Sequence, residues 1–339
     1  MALNAVKITE EFLAALPKRS REILERRFGV GRSHERKTLE AIGSSYGITR
    51  ERVRQIEAHG LNKLRRHELR EKKREVFDLL KNEILKRGGV SQEDKFLTEL
   101  AATPEDKNHI RFLLTLADEA RRLKEDDDFH YRWSADEKLT ESAEETLKNL
   151  HEELADSEPV SEKELKDKLS SGAKKILGEE LAEPALSSWL AISKLLGQNK
   201  LGEWGLLASP HISPRGVRDL AYLVMKKHGS PLHFSEAAAA IKKVLGEKAH
   251  VQTVHNELIK DNRFVLVGRG LYALKEWGYE PGTVLDIIRK ILTSSGPLDK
   301  EKLMEKVLKE RYVKPATILI NLQNKNNFKS LADGRITLV

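Results

Sequence analysis

The 339-residue sequence predicts a mainly α-helical chain, with an N-terminal helix-turn-helix module of three to four helices followed by tandem winged-helix units, which are helical units with small β-hairpin wings. In the first 75 residues, apolar side chains recur at steps of three and four, and glycines interrupt the pattern. Further along, short Gly/Pro breaks recur at spacings of 70, 72 and 66 residues, at Gly89, Pro159, Pro231 and Pro297. Each break is followed by helical patterns and then by short alternating apolar runs, which predict a hairpin.

The N-terminal module begins with a short amphipathic helix from Thr9 to Leu16, which Pro17 ends. We expect Ser20 to cap a second helix that stops at Gly29, because a serine hydroxyl accepts from free helix amides and glycine tolerates a left-handed C-terminus. A polar loop is then expected from Val30 to Lys37.

The next two helices have the pattern of a helix-turn-helix, with Gly47 as the turn glycine. One helix begins at Thr38, and a long helix is expected from Thr49 to Arg74. Its buried stripe has residues at helical spacing: Val53, Ile56, Gly60 and Leu64. Because such a helix places its N-terminal residues against base edges, the predicted base-reading residues are Arg50, Glu51, Arg54 and Gln55. The predicted phosphate contacts are Lys37, Thr49, Arg52, Lys63, Arg65 and Arg66.

Glu51 admits two interpretations. A carboxylate can accept a hydrogen bond from cytosine, as an arginine can donate to guanine and a glutamine can pair with adenine. Alternatively, Glu51 stabilises the positive end of the helix dipole and pairs with a neighbouring arginine.

The stretches "LPKRSREILERRFGVG" and "TLEAIGSSYGITRERVRQIEAHGLNKLRR" resemble region 4 of the sigma-70 family of bacterial transcription initiation factors, over about residues 13–66. The resemblance implies binding to the minus-35 promoter element through the last helix, and to the β-subunit flap of RNA polymerase core through another face. Leu24 and Phe28 are the candidates for that polymerase face, and the family's polar loop corresponds to Gly31–Lys37. Few residues precede the matching segment, and no aromatic cluster for melting promoters is found, so we expect this chain not to open promoters alone.

The repeat predicts five domains. The last two hairpins are expected at Gly268-Arg269-Gly270 and at Asp333-Gly334, and the earlier wings at "DFHYRW" and "LGEWGLLA". The predicted bounds are 1–75 for the helix-turn-helix module, 76–135 and 136–208 for two winged-helix-like units, 214–279 for a third unit and 280–339 for a fourth.

The third unit, from "GVRDLAYLVMKKHGSPLHFSEAAAAI" through "RFVLVGRGLYALKEWGY", resembles the HARE-type winged helix, which occurs in the polymerase δ subunit and in chromatin- and restriction-associated proteins. The resemblance implies a binding module. Arg269 at the tip of its wing is a candidate DNA contact, although a turn arginine is also commonly solvated.

Charge is divided along the chain. Residues 1–75 carry 19 Lys and Arg against 11 Asp and Glu, whereas residues 124–164 carry 5 against 15. The basic module favours a phosphate-bearing partner, and the acidic stretch is either a solubilising surface or a face for a basic partner. With no cysteine there is no thiol nucleophile or Cys-ligated metal, and the histidines lack ligand spacing. We therefore expect no catalytic residues, no metal, no cofactor and no small-molecule substrate.

The sequence thus predicts a non-enzymatic, sequence-specific DNA-binding transcription factor, whose partners are promoter-like double-stranded DNA and bacterial RNA polymerase core. With no apolar run long enough to cross a membrane and no secretory signal, we expect it in the cytoplasm at the nucleoid. Two alternatives stay open: an RNA polymerase accessory or scaffold subunit that acts by protein contacts, and a DNA-targeting subunit of a restriction/modification system.

Overall fold

Helices dominate the chain, and β-structure is confined to short strands. The computed structural model describes residues 4–31, 34–155 and 157–339. The chain separates into two compact units: one contains the residues up to Gly197 and Trp204–Leu206, and the other contains Gln198–Glu203 and Leu207–Val339. The predicted domain bounds within these units stay predictions.

The helices of the first unit are α1 (Ala5–Ala14), α2 (Lys18–Phe28), α3 (Leu39–Tyr46), α4 (Arg50–Arg65), α5 (Glu68–Lys72), α6 (Arg74–Leu85), α7 (Glu93–Leu100), α8 (Asp106–Leu116), α9 (Glu137–Leu154), α10 (Glu162–Leu177) and α11 (Glu183–Ile192). Those of the second are α12 (Val217–His228), α13 (Phe234–Ala240), α14 (Val251–Lys260), α15 (Val284–Ser295), α16 (Lys300–Glu310) and α17 (Pro315–Leu322). The strands are β1 (Val90–Gln92), β2 (Arg121–Leu123), β3 (Arg132–Ser134), β4 (Leu196–Gln198), β5 (Trp204–Leu206), β6 (Leu232–His233), β7 (Phe264–Gly268), β8 (Leu271–Leu274), β9 (Phe328–Ser330) and β10 (Ile336–Leu338). A π-helical turn, Ile241–Leu245, continues α13, and a 3-10 turn, Lys275–Trp277, follows β8.

The N-terminal helices are bounded by local capping residues. α2 ends at Gly29, whose φ of +66° suits glycine. The Thr38 hydroxyl accepts from the Ala41 amide at 3.1 Å, and the Thr49 hydroxyl accepts from the Arg52 amide at 3.2 Å. These bonds satisfy amides that have no partner inside the helix, so α3 and α4 begin at the predicted threonines.

Three other predicted boundaries were wrong. The first helix runs from Ala5 to Ala14 and not from Thr9 to Leu16, because the Asn4 side chain accepts from the Lys7 amide and caps an earlier start. α2 begins directly after Pro17, so Ser20 lies inside the helix and does not cap it. The expected long helix to Arg74 is interrupted, because α4 ends at Arg65 and His67 Nδ1 accepts from the Leu69 amide at 3.2 Å. This side-chain bond begins α5 as a separate helix.

One hydrophobic core joins the N-terminal helices to α6, α7 and α8. Leu24 and Phe28 of α2 are 0% and 8% exposed. The Phe28 ring lies 5.2 Å from the Phe112 ring of α8, edge to face, and the Phe12 ring lies 6.0 Å from the Phe77 ring of α6. This corrects the assignment of Leu24 and Phe28 to an exposed polymerase face, because the chain's own downstream helices cover them.

One order of elements recurs four times among the described residues after α5: a helix, a short pairing segment, two helices and a hairpin. The four sets run from α6 to β3, α9 to β5, α12 to β8 and α15 to β10. Each pairing segment joins the second hairpin strand in antiparallel fashion. The pairs are β1 with β3, Val160 with Trp204, β6 with β8, and Leu298 with Ile336. The sequence repeat is therefore also a repeat of elements.

The last two hairpins turn at the predicted glycines, between Gly268 and Leu271 and around Gly334. The earlier two begin before their predicted stretches, because β2 and β4 precede "DFHYRW" and "LGEWGLLA". Only the second strands, β3 and β5, overlap the predicted wings.

Among the described residues, no helix is both long and apolar enough to span a membrane. Over the same residues, no group of three or more histidine and carboxylate side chains is arranged to hold a metal ion.

Candidate nucleic-acid interface

The turn between α3 and α4 requires two glycines for different reasons. Gly47 adopts a φ of +64°, a left-handed conformation that side chains disfavour. Gly43 is buried where the backbone of α3 meets the start of α4, and a Cβ there would lie 2.6 Å from the Ile48 carbonyl oxygen. The Ile48 amide donates to the Gly43 carbonyl at 3.0 Å. This close contact sets the direction in which α4 leaves the turn.

The inward side of α4 packs on α2 and α3. Val53 and Leu64 are fully buried, Gly60 is buried and Ile56 is half-buried, as the predicted stripe requires. A Cβ on Gly60 would lie 3.1 Å from Leu24 Cδ1, so the small residue allows the two helices to approach. Leu61, which lies next to Gly60 and three residues before Leu64, is also buried and was not predicted.

The opposite side of α4 presents every predicted base-reading residue to solvent. The exposed residues of its first turns are Arg50, Glu51, Arg52, Arg54 and Gln55. They lie on one rigid helix held by its buried stripe, so their spacing is set before any partner arrives.

Within this face, Glu51 and Arg54 form a two-bond fork. Arg54 Nε donates to Glu51 Oε2 at 2.8 Å, and Arg54 Nη2 donates to Glu51 Oε1 at 2.7 Å. The hydrogen bond from Arg54 holds the pKa of the Glu51 carboxyl below its usual value. In the unbound protein, Glu51 therefore pairs with an arginine, as the second interpretation of the sequence predicted. Since that arginine is Arg54, Arg50 has no bonded carboxylate among the described residues.

Arg52 and Gln55 are also joined. Arg52 Nη1 donates to Gln55 Oε1 at 3.1 Å. This bond uses the amide oxygen of Gln55. The Gln55 side chain is also hydrogen-bonded to Glu51, and that bond helps to lower the pKa of the Glu51 carboxyl.

The predicted phosphate contacts are in different local settings. Lys63 and Arg66 are exposed and have no ion-pair partner in the part of the chain that the structure describes. Lys37 is exposed and paired with Glu35. The Thr49 hydroxyl oxygen accepts the capping bond, which leaves its O–H able to donate.

Arg65 is anchored internally. Its Nη2 donates to the Thr115 carbonyl of α8 at 2.7 Å, and its Nε lies 4.0 Å from Asp118. This side chain therefore ties α4 to the end of α8. In the polar loop predicted at Gly31–Lys37, Arg32 and Ser33 lie outside the described residues.

Two side chains that the sequence reasoning did not select also border the surface. His59 is exposed one turn after Gln55 and one turn before Lys63, so the spacing of four residues would have identified it. Arg26 of α2 donates to Ser45 Oγ at 3.0 Å and lies over the Tyr46 ring, 5.0 Å from its centre. No local pattern in the sequence brings Arg26 to α3, since that contact depends on how the two helices pack.

Comparison with known proteins identifies residues 12–66 as a match to the family model for sigma-70, region 4. The segment is similar to the RNA polymerase sigma factor RpoS of Coxiella burnetii, with 50% identity over 56 residues, 16% of this chain and 16% of that protein. It is also similar to RpoD of Neisseria gonorrhoeae, with 44% identity over 59 residues, 17% of this chain and 9% of that protein. SigA of Bacillus sp is 46% identical over 68 residues, 20% of this chain and 18% of that protein.

The match confirms the predicted sigma-70 region 4 segment with its helix-turn-helix at the N-terminal end. The chain spans less than a fifth of the length of each of these relatives. The resemblance of residues 214–279 to HARE-type domains stays a prediction.

Proposed function

We propose that residues 12–66 bind double-stranded DNA in a sequence-specific manner, and that the chain acts in transcription initiation or its regulation at promoter DNA of the minus-35 kind. One observation carries the proposal: the segment that matches sigma-70 region 4 folds as a helix-turn-helix whose α4 exposes Arg50, Arg54 and Gln55 at its N-terminal end. The names of the similar sigma factors support a role in transcription. Such a protein would act in the cytoplasm, at the nucleoid.

In the proposed complex, α4 enters the major groove with its N-terminal end foremost. Arg50 is available to guanine, and Gln55 contacts adenine by exchanging its bonds to Arg52 and Glu51 for bonds to the base. Lys63 and Arg66 lie further along α4 and contact phosphates. The Glu51 and Arg54 fork either stays closed or opens, so that Glu51 accepts from cytosine and Arg54 binds a phosphate.

The proposed protein partner is RNA polymerase core, since the similar proteins are named RNA polymerase sigma factors. Leu24 and Phe28 are buried, Leu24 beside Gly60 of α4 and Phe28 against Phe112 of α8, so the contact would use exposed residues elsewhere on the chain.

The test is selection of preferred duplexes from a random pool by the full chain. The unmodified protein is expected to enrich one motif, and the double variant Arg50→Ala, Gln55→Ala is expected to lose that motif while still binding DNA weakly. Recovery of the same motif by both proteins, or of none by either, would contradict sequence reading by α4. The proposal requires no catalysis, so the same DNA incubated with Mg²⁺ should remain intact and unmodified.

For the remainder of the chain we propose four winged-helix units, with a HARE-type unit at residues 214–279. The support is the recurring order of helix, pairing segment, two helices and hairpin, in which the pairing segment joins the second hairpin strand. Arg269 lies exposed between β7 and β8, at the tip of the proposed wing. If this wing touches DNA, Arg269→Ala should remove protection of backbone positions in a hydroxyl-radical footprint, and an unchanged footprint would exclude that contact.

A second candidate function, a scaffold that acts by protein contacts, is favoured by α14. This helix exposes Val251 by 44% and Ile259 by 63%, and Leu266 on the adjoining β7 is 52% exposed. Apolar side chains on the third helix of a unit suit a protein surface better than a phosphate backbone. Capture of core polymerase by the chain, reduced in the Val251→Ser, Ile259→Ser variant with DNA selection unchanged, would support it. Equal capture by the variant would place the polymerase contact elsewhere.

A further inference from the structure

The last part of the chain has a stretch with basic but no acidic residues. Residues 311–332 contain Arg311, Lys314, Lys325 and Lys329 and no aspartate or glutamate. Arg311 is buried and donates to the Gly282 carbonyl at 3.0 Å, so it serves the interior. The three lysines are exposed.

Of the six lysines and arginines on α15 and α16, three are ion-paired. Lys302 lies 3.3 Å from Asp299, Lys309 lies 2.8 Å from Glu305, and Lys290 lies 2.6 Å from Glu280. Within the described residues, Lys314, Lys325 and Lys329 have no ion-pair partner. This stretch therefore carries three exposed lysines without a carboxylate partner: Lys314 precedes α17, Lys325 follows it and Lys329 lies on β9.

A groove runs between the C-terminal end of α17 and the β9–β10 hairpin. It encloses a cavity of about 510 Å³ lined by Leu322, Gln323, Lys325, Phe328, Lys329 and Ser330, together with Ile336. Ile318 of α17 and Phe328 of β9 are 0% and 3% exposed, so both walls are fixed to the same core. On the hairpin, Lys329 pairs in register with Thr337 and is exposed.

We infer that this lysine surface, formed by Lys314, Gln323, Lys325, Lys329 and Ser330, binds the sugar–phosphate backbone of duplex DNA. Ammonium groups bind phosphate oxygens as point charges, while amide and hydroxyl groups donate hydrogen bonds to phosphate and sugar. The proposed contact is to the backbone and not to the bases, and none of the residues that line the groove is an arginine that could fork onto guanine. It is a second DNA contact, separate from α4, and it does not require α4 to read a sequence.

The surroundings of the lysines favour DNA over an acidic protein. Their exposed neighbours are amides, Gln323, Asn324 and Asn326. Protein interfaces usually centre on an apolar or aromatic anchor. The exposed apolar side chain on this helix, Ile320 at 66%, is not among the residues that line the groove.

The experiment compares two triple variants of the full chain that change charge equally. One is Lys314→Gln, Lys325→Gln, Lys329→Gln on the lysine surface. The control is Lys302→Gln, Lys306→Gln, Lys309→Gln on α16, where Lys302 and Lys309 are ion-paired and Lys306 donates to Ser295 Oγ at 2.8 Å.

Binding to a duplex of scrambled sequence is measured over a range of salt concentrations. Each variant is also made in the Arg50→Ala, Gln55→Ala background, and thermal unfolding checks that all proteins are folded.

The lysine-surface variant should lower the steepness of log K against log salt by about 2 to 3, since each lost phosphate contact removes about 0.9. The control should leave it nearly unchanged, and the same difference should appear in the background without Arg50 and Gln55. Equal losses in both triple variants, or no loss in either, would overturn the inference. An unchanged DNA slope with weakened binding to a polyglutamate peptide would overturn it in favour of an acidic protein partner. Because the scrambled duplex lacks a preferred site, failure of sequence reading by α4 would leave the expected difference in place.

Discussion

At the scale of single residues, the exposed face of α4 is already organised before DNA is present. Glu51 and Arg54 hold each other in a fork, and Arg52 holds the Gln55 oxygen. Both pairs are solvent-exposed, so they stabilise the fold little and can exchange partners at low cost. The proposed base-reading residues lie in the first turns of α4, and the proposed phosphate contact Lys63 lies near its C-terminal end.

This separation predicts different outcomes for two alanine substitutions. Gln55→Ala should relax the preference at one base pair by about 1 to 3 kcal/mol, because a bidentate amide contact is lost. Lys63→Ala should weaken binding to all duplexes alike and reduce the salt slope by about 1. Competition binding with single-base-pair variants of the selected site separates the two outcomes. A uniform loss for both substitutions would indicate that α4 only holds the backbone.

Buried histidines in the first unit predict a pH dependence of stability. Burial lowers the pKa of His109 and of His151, which are 3% and 7% exposed, and His151 Nε2 lies 2.9 Å from Ser193 Oγ. Because the folded-state pKa lies below the unfolded value of about 6.5, the unfolded chain binds more protons as the pH falls past that value. The free energy of unfolding should therefore decrease between about pH 7 and about pH 5.

Denaturant unfolding at the two pH values measures this decrease. The decrease should be smaller in His151→Gln, which does not titrate in this range but retains a polar group near Ser193. An identical decrease in the variant would assign the pH effect to other groups.

At the scale of elements, the turn between α3 and α4 depends on the space around one glycine. A Cβ at Gly43 would meet a backbone carbonyl at 2.6 Å, whereas a Cβ at Gly47 would meet nothing within 4 Å. Side chains can rotate away from a new methyl group, but the Ile48 carbonyl is part of the turn itself. The crossing of α3 and α4 is therefore sensitive to Gly43 in particular.

Gly43→Ala should destabilise the first unit by about 1 to 3 kcal/mol through overpacking, and it should reduce DNA affinity because α4 shifts. Gly47→Ala is the matched control, since its cost is only the strain of a left-handed alanine, about 1 kcal/mol. Chemical denaturation and duplex binding test both. A larger loss of DNA binding in Gly47→Ala would contradict this assignment of roles.

At the scale of the whole molecule, the helix-turn-helix is part of a larger unit. Phe28 and Phe12 contact Phe112 and Phe77, and Arg65 and Arg70 bond to residues at the C-terminal end of α8 and just beyond it. The segment similar to sigma factors thus shares its core with helices outside that segment. Its stability depends on them.

A fragment of residues 1–75 should therefore unfold at a lower temperature than a fragment of residues 1–206, or aggregate. Cutting after residue 75 removes Phe77 and Phe112 and so uncovers Phe12 and Phe28, which are buried in the intact chain. Calorimetry of the two fragments measures the difference. Equal melting temperatures would indicate that the N-terminal helices are stable without α8.

The sequence by itself determined the features that depend on local spacing. Helical periodicity identified Val53, Gly60 and Leu64 as the buried stripe and left Arg50 to Gln55 outward, and the Gly/Pro breaks identified the repeat of elements. It also identified the segment that matches sigma-70 region 4. Such features follow from the 3.6-residue period of the helix and from turn chemistry, which act over a few residues.

Only the tertiary structure decided which apolar side chains are covered and which charges are free. The spacing of Leu24 and Phe28 in the sequence is the same whether they contact a partner protein or the chain's own core. Arg65 and Arg66 are both arginines next to each other in the sequence, yet only Arg65 bonds to the end of α8. Lysines of α16 and of the lysine surface are likewise indistinguishable until their neighbours in space are known. The physical reason is that burial and ion pairing depend on contacts between residues far apart in the chain, which a local pattern does not record.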